Sequence, residues 1–160
     1  MVNTEFDWEN GDDAFPLENV PLTEDKRTEA RICAVQALYQ GVLMGKHVAD
    51  VAKEFEVARL GKRKADKKLF ALITGEAAEG TERYKEMISS VLTEAWTWER
   101  LDPVLRAVLW AGCAELTANE KASVAVVVSE YLNISKGFLP PEQTGFVNKL
   151  LDNLAKKIRG

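Results

Sequence analysis

Apolar residues recur at three- and four-residue spacing from about Thr23 to the end of the chain. That period predicts helices whose apolar stripes face a shared core. Thr23 reads as a cap, with Glu24 and Asp25 in a first turn where the helix dipole favours acids. Ile32, Val35, Leu38, Tyr39, Val42 and Leu43 then form one stripe, and Gly45 ends the first helix. A second, short helix is predicted from about His47 to Ala58, with Val48, Val51, Ala52 and Phe55 inward, broken at Leu60-Gly61. A third starts near Lys64 and stops by Gly80, its apolar face being Leu69, Phe70, Leu72 and Ile73. A fourth covers about Thr81 to Trp96, aligning Tyr84, Ile88, Val91, Leu92 and Ala95.

The fifth helix begins at Asp102, with Pro103 in the first helical position that proline favours. It is apolar through Val104, Leu105, Val108, Leu109 and Leu116, with Gly112 predicted to allow close helix packing. The sixth opens at Ala122 or Ser123. Its Val124, Val126, Val127 and Val128 would suit a strand, yet one short strand has no partner in this chain, and the helical flanks decide. Gly137 closes it. Pro140-Pro141 starts the seventh, lined by Phe146, Val147, Leu150, Leu151 and Leu154. About seven helices with short loops predict an all-α bundle over residues 23–160. Repeats of fixed period are absent.

Charge divides the chain unevenly. All 160 residues sum to −4, but residues 1–25 carry eight acids and no Lys or Arg. The remaining residues hold 21 Lys and Arg against 17 Asp and Glu, a net +4. An acidic arm, residues 1–22, therefore precedes a mildly basic body. Asn10-Gly11, Pro16 and Pro21 argue for an extended or disordered arm. Its Phe6, Trp8 and Phe15 exceed what a solvating tail needs. Two readings stay open: an arm tethered beside Lys26, Arg27 and Arg31 that folds back and competes with RNA for them, or, more plainly, a solvated tail or one whose aromatics pack elsewhere on the body or on a second copy.

The chemistry available is limited. P-loop, GxGxxG and GxSxG motifs are all missing. His47 is the single histidine, which leaves no multi-histidine metal site. Carboxylate pairs such as Glu76/Glu79 and Glu82/Glu86 read as solvated helix faces. Cys33 and Cys113 lack zinc or CxxC spacing and sit in apolar patterns, as buried free thiols do. No catalysis, metal or cofactor is expected. With no apolar run long enough to span a bilayer and no signal-peptide pattern, a cytoplasmic protein without membrane contact is expected.

The basic residues carry more information. Arg27, Arg31, Val35, Leu38 and Val42 share one row of the first helix, cationic at its start and apolar at its end. This presents Lys26, Arg27 and Arg31 at the rim of the bundle, with Gln36 and Tyr39 on the same flank. Cations beside an amide and a ring suit single-stranded RNA; a rim arginine beside a half-buried tyrosine is the plainer alternative. A second basic cluster, Arg59, Lys62, Arg63, Lys64, Lys67 and Lys68, reads by default as a solvated charge run, with a broader electrostatic footprint as the alternative. The last helix start, Thr144 to Lys149, offers backbone amides to phosphate and Asn148 to a base edge; an ordinary capped helix is the plainer alternative.

Three blocks of residues resemble the bacterial transcription antitermination factor NusB family. Arg31-Ile32-Cys33-Ala34-Val35-Gln36-Ala37-Leu38-Tyr39 is close to that family's Arg-x-x-Ala-x-Gln-Ala-Leu-Tyr. Arg100-Leu101-Asp102-Pro103-Val104-Leu105-Arg106-Ala107-Val108-Leu109, ending at Glu115-Leu116, is the middle block. Phe146-Val147-Asn148-Lys149-Leu150-Leu151-Asp152 is similar to Phe-Val-Asn-Gly-x-Leu-Asp. The blocks stand in family order and the resemblance covers about residues 26–158. It implies an all-helical fold of two packed helical halves and no enzymatic activity. It also implies binding of boxA RNA in nascent ribosomal transcripts, together with the small-subunit ribosomal protein NusE. RNA polymerase and other Nus factors would complete the assembly.

Carried over by position, the RNA side is Lys26, Arg27, Arg31, Gln36, Tyr39, Phe146, Asn148 and Lys149. The protein partner would lie against Trp96, Glu99, Arg100, Leu105 and Arg106. The sequence departs from the family pattern at Thr28 and Glu29, where further basic residues are usual, at Lys149, and at Leu105, where some relatives carry a polar group. The competing reading is a helical adaptor of the same fold that binds protein, or a second copy of itself, with its RNA site decayed.

Overall fold

A computed structural model describes residues 22–93 and 95–160. The acidic arm lies outside these residues, except for Leu22. Eight α-helices are found among the described residues, with no strand. They are α1 (Lys26–Met44), α2 (Val48–Ala58), α3 (Leu60–Arg63), α4 (Lys67–Glu79), α5 (Thr81–Ser90), α6 (Pro103–Ala118), α7 (Val124–Lys136) and α8 (Thr144–Arg159). Short 3-10 turns at Trp98–Arg100 and Pro141–Gln143 precede α6 and α8.

The first helix is capped by Asp25, not Thr23. The Asp25 carboxylate accepts from the backbone N–H groups of Arg27 at 2.8 Å and Thr28 at 3.1 Å. Thr23 instead donates its N–H and hydroxyl to the Glu29 carboxylate, each at 2.7 Å. Gly45 ends the helix in the left-handed region at φ 65°, where glycine has no Cβ to clash. The Leu60-Gly61 break carries its own single turn, α3, which raises the count from seven to eight. The next helix therefore starts at Lys67 behind the Asp66 cap, not at Lys64.

Two other boundaries differ from the sequence reading. Helix α5 stops at Ser90, short of Trp96. The backbone tightens there: Val91 and Leu92 N–H donate to Ile88 and Ser89 O at 3.2 Å, three residues back, while both side chains still pack against the core. Helix α8 starts at Thr144, because Pro140-Pro141 lead into a 3-10 turn first. The valine run is helical as expected, with Ser123 capping α7 through Val126 N–H at 3.1 Å.

Helix α6 is the centre of the bundle. It packs against α1, α4 and α5 on one side and α7 and α8 on the other. Two helical groups thus share one central helix. Residues 107–116 of α6 are all buried. At Gly112 a Cβ would stand 3.3 Å from Leu151 Cδ2, so glycine sets the approach of α8 to α6. The Trp110 indole donates to Ala77 O at 3.2 Å and ties α6 to α4. At the far end, Arg159 of α8 donates to the carbonyls of Leu116, Asn119 and Ala122. One guanidinium therefore binds the end of α6 and the loop that leads from it to α7. No helix among the described residues is long and apolar enough to cross a membrane.

Candidate nucleic-acid interface

Lys26 and Arg27 are exposed on the first turn of α1, as the helical row predicts. The fold adds cations that the row could not show. Asp66 N–H donates to Lys26 O at 3.0 Å, which brings the start of α4 beside the start of α1. Lys62, Lys64, Lys67 and Lys68 are exposed around this junction. Two basic clusters some forty residues apart in sequence therefore form one cationic edge. The other two members of the second cluster pack on the protein itself. Arg63 is buried against Glu29, its Nε donating to Oε1 at 2.5 Å. Arg59 lies over the Phe55 ring at 5.4 Å.

Arg31 does not stand on the rim. It is 4% exposed and sits between two acids. Its Nε donates to Glu115 Oε1 at 2.8 Å and its Nη2 to Glu115 Oε2 at 2.7 Å. Its Nη1 donates to Glu130 Oε1 at 2.7 Å, and Thr28 Oγ1 donates to the same oxygen at 2.7 Å. Tyr131 and Asn119 donate to the Glu115 carboxylate at 2.8 and 2.9 Å. Burial disfavours charge on Arg31, but the bonds to Glu115 and Glu130 more than offset it and raise its pKa. Burial likewise works against the Glu115 carboxylate, and Arg31, Asn119 and Tyr131 outweigh it and lower its pKa. The group is a satisfied internal ion cluster that pins α1 to α6 and α7.

Gln36 and Tyr39 are also interior, at 2% and 0% exposure. Burial pushes the Tyr39 phenol above its ordinary pKa, with Asp102 adding to the shift. The flank that sequence periodicity assigned to them is closed by other helices. Arg31, Gln36 and Tyr39 thus support the shape of α1 rather than its surface.

At the start of α8 the expected residues are accessible. Asn148 and Lys149 are exposed and Phe146 is half-buried. Phe146 meets Trp96 with ring centroids 5.7 Å apart and planes tilted by 39°. The resemblance implies the protein-partner side for Trp96 and the RNA side for Phe146, so the two candidate surfaces touch at this pair.

The rest of that second surface is the turn between α5 and α6. Arg100 donates to Ala95 O at 3.1 Å. Arg106 donates to Leu101 O at 3.1 Å and Glu99 O at 2.6 Å, and its guanidinium lies 5.6 Å over the Trp98 ring. Burial lowers the Arg106 pKa. Lys85 Nζ stands 3.9 Å from Glu99. Leu105 is 2% exposed and lies beneath this surface, packed in the core. An open cleft of about 520 Å³ adjoins it, with Lys46, His47, Lys85, Trp98 and Arg106 in its walls.

Nothing in this arrangement activates a nucleophile. Burial pushes the thiols of Cys33 and Cys113 up to about 12, and both are free and buried. Among the described residues no three His, Cys, Asp or Glu could hold a metal ion.

Residues 28–156 match the model of the NusB family. The chain is similar to the transcription antitermination protein NusB of Brucella ovis, 43% identical over 152 residues that cover 91% of this chain and 89% of that protein. The protein of the same name from Brucella suis biovar 1 matches to the same extent. Among solved structures, NusB of T. maritima superposes with a TM-score of 0.72 at 24% identity, over 84% of this chain and 94% of that chain. The solution structure of NusB from Aquifex aeolicus gives 0.67 at 25%, over 82% and 88%. A chain in the structure described as "Crystal Structure of a Plectonemic RNA Supercoil" gives 0.69 at 22%, over 81% and 94%. These structural likenesses bear on the fold.

Proposed function

Because this chain belongs to the NusB family, we propose that it works as an RNA-binding transcription antitermination factor and not as an enzyme. Its RNA is of the boxA type, carried by nascent ribosomal transcripts, and NusE is the protein that binds with it. RNA polymerase and the other Nus factors are the assembly it joins.

The observation that carries this reading is the joint cationic edge of α1 and α4, with Lys26, Arg27, Lys67 and Lys68 exposed beside the Lys26–Asp66 contact. Such an edge neutralises successive phosphates of a single strand. Phe146, Asn148 and Lys149 supply the second part, with a ring, an amide and a cation at a helix start. The protein partner lies along Trp96, Glu99, Arg100 and Arg106, with Leu105 supporting them from inside. Arg31, Gln36 and Tyr39 act by holding α1 in place.

Titration of boxA RNA into the protein, with and without NusE, at several salt concentrations, tests this. Binding that tightens with NusE and weakens steeply with salt is the expected result. The burial of Arg31, Gln36 and Tyr39 favours one alternative, an adaptor that binds protein alone. NusE binding with no salt-dependent RNA binding would establish that alternative.

A further inference from the structure

Trp96 occupies a short turn, far in sequence from the basic edge and from α8. The turn is held firmly. Trp96 N–H donates to Thr93 O at 2.9 Å, and Arg100 clips Ala95 O at 3.1 Å. The indole nevertheless remains 45% exposed, while its ring meets Phe146. A large amphipathic ring left half in water on a braced turn is a ready stacking surface.

The neighbourhood of the pair has the chemistry of a nucleotide. Phe146 and Lys149 are three residues apart on α8 and so share a side of the helix. Lys149 and Asn148 are both exposed. They stand in the first turns of a 16-residue helix with no side-chain cap at Gln143. A ring pair with a cation on the same side of the helix, one turn away, matches an unstacked base and its phosphate. A partner protein's apolar side chain would leave the cation unused.

We propose that Trp96, in contact with Phe146, is an RNA-binding residue on which an unstacked base of a single strand stacks. This moves Trp96 from the protein-partner surface to the RNA surface, and it rests on the RNA reading above. The strand then spans from the α1–α4 edge to the turn before α6.

The test uses the full chain and a single-stranded boxA-type RNA oligonucleotide without the protein partner. Trp96→Ala is expected to weaken binding by roughly 5- to 150-fold, the range of a lost base–aromatic stack. The dependence on salt should stay as in the unaltered protein, because stacking releases no phosphate counterions. Trp96→Phe should recover most of the affinity. It should also abolish most of the RNA-induced quenching of tryptophan fluorescence, a readout that needs no loss of stability. Unchanged affinity in Trp96→Ala together with unchanged quenching in Trp96→Phe overturns the proposal. So does a Trp96→Ala variant that keeps its RNA affinity and, in a separate titration with the ribosomal partner protein, loses that protein, which would return the residue to that surface. Absence of RNA binding by the unaltered protein would instead overturn the RNA reading itself, and this assignment with it.

Discussion

Arg31 of α1 and Glu115 of α6 form a two-point ion pair, with both bonds below 2.9 Å and both side chains in the interior. The residues are 84 positions apart. Their pairing joins the family-like first block to the middle block, and Glu130 and Tyr131 extend it to α7.

Arg31→Ala leaves Glu115 buried without its cation. Losing one partner of a buried pair costs about 3–5 kcal/mol. Denaturant unfolding should show a loss of that size. The folded fraction should keep the salt dependence of RNA binding, because Arg31 is committed to Glu115 and Glu130. A stable Arg31→Ala protein with a shallower salt slope would return Arg31 to the RNA surface.

The same cluster predicts acid sensitivity. The Glu115 pKa in the folded protein is lowered from its ordinary value of 4.5. A depressed carboxylate contributes stability that is fully present above the unfolded value and lost as pH falls through the folded one. Unfolding free energy should therefore decline below about pH 4.5. Glu115→Gln should be less stable at neutral pH and should flatten this part of the profile. Equal slopes for both proteins below pH 4.5 would remove Glu115 as the cause.

The joint basic edge can be tested by counting ions. Each phosphate neutralised on a single strand contributes about 0.7 to the slope of log affinity against log salt. Lys26→Ala and Lys68→Ala should each reduce the slope by up to that amount, and the double variant should reduce it by the sum. Both residues are exposed, so melting temperatures should hardly move. Two full slopes would show that the strand runs elsewhere.

Residues 1–25 carry eight acids and adjoin Lys26 and Arg27 directly. A short tether gives such an arm a high local concentration at the basic edge. Deleting residues 1–22 should tighten RNA binding at low salt and change it little at high salt, since exposed charge pairs are weak and screened. Identical low-salt affinities with and without the arm would exclude competition.

The helices, their order and their apolar stripes could be read directly from the chain. So could Pro103 opening α6, Gly112 as a close helix contact, and the exposure of Lys26, Arg27, Asn148 and Lys149. These depend on spacing, capping chemistry and side-chain polarity, which act over one to four residues. Thr23 against Asp25, and Lys64 against Lys67, show the limit of that reach. Thr23 and Asp25 stand two positions apart, and Glu29 one turn into the helix takes Thr23 and leaves the cap to Asp25.

The fate of Arg31 was a tertiary matter. On a helical wheel it occupies the border of the apolar face, and nothing local says whether water or an acid meets it. Glu115 and Glu130, arriving from α6 and α7, enclosed it and made an apparent phosphate contact into an internal ion pair. Tyr39 and Gln36 went inside for the same reason, because neighbouring helices cover their flank. The converse happened to Trp96 and to Lys67 and Lys68. Their local patterns read as a helix end and a solvated charge run. Packing of α6 and α8 set the indole against Phe146, and the Lys26–Asp66 contact set the lysines beside α1. Sequence period decides which way a residue faces from its own helix; only the packing of helices distant in the chain decides what it faces.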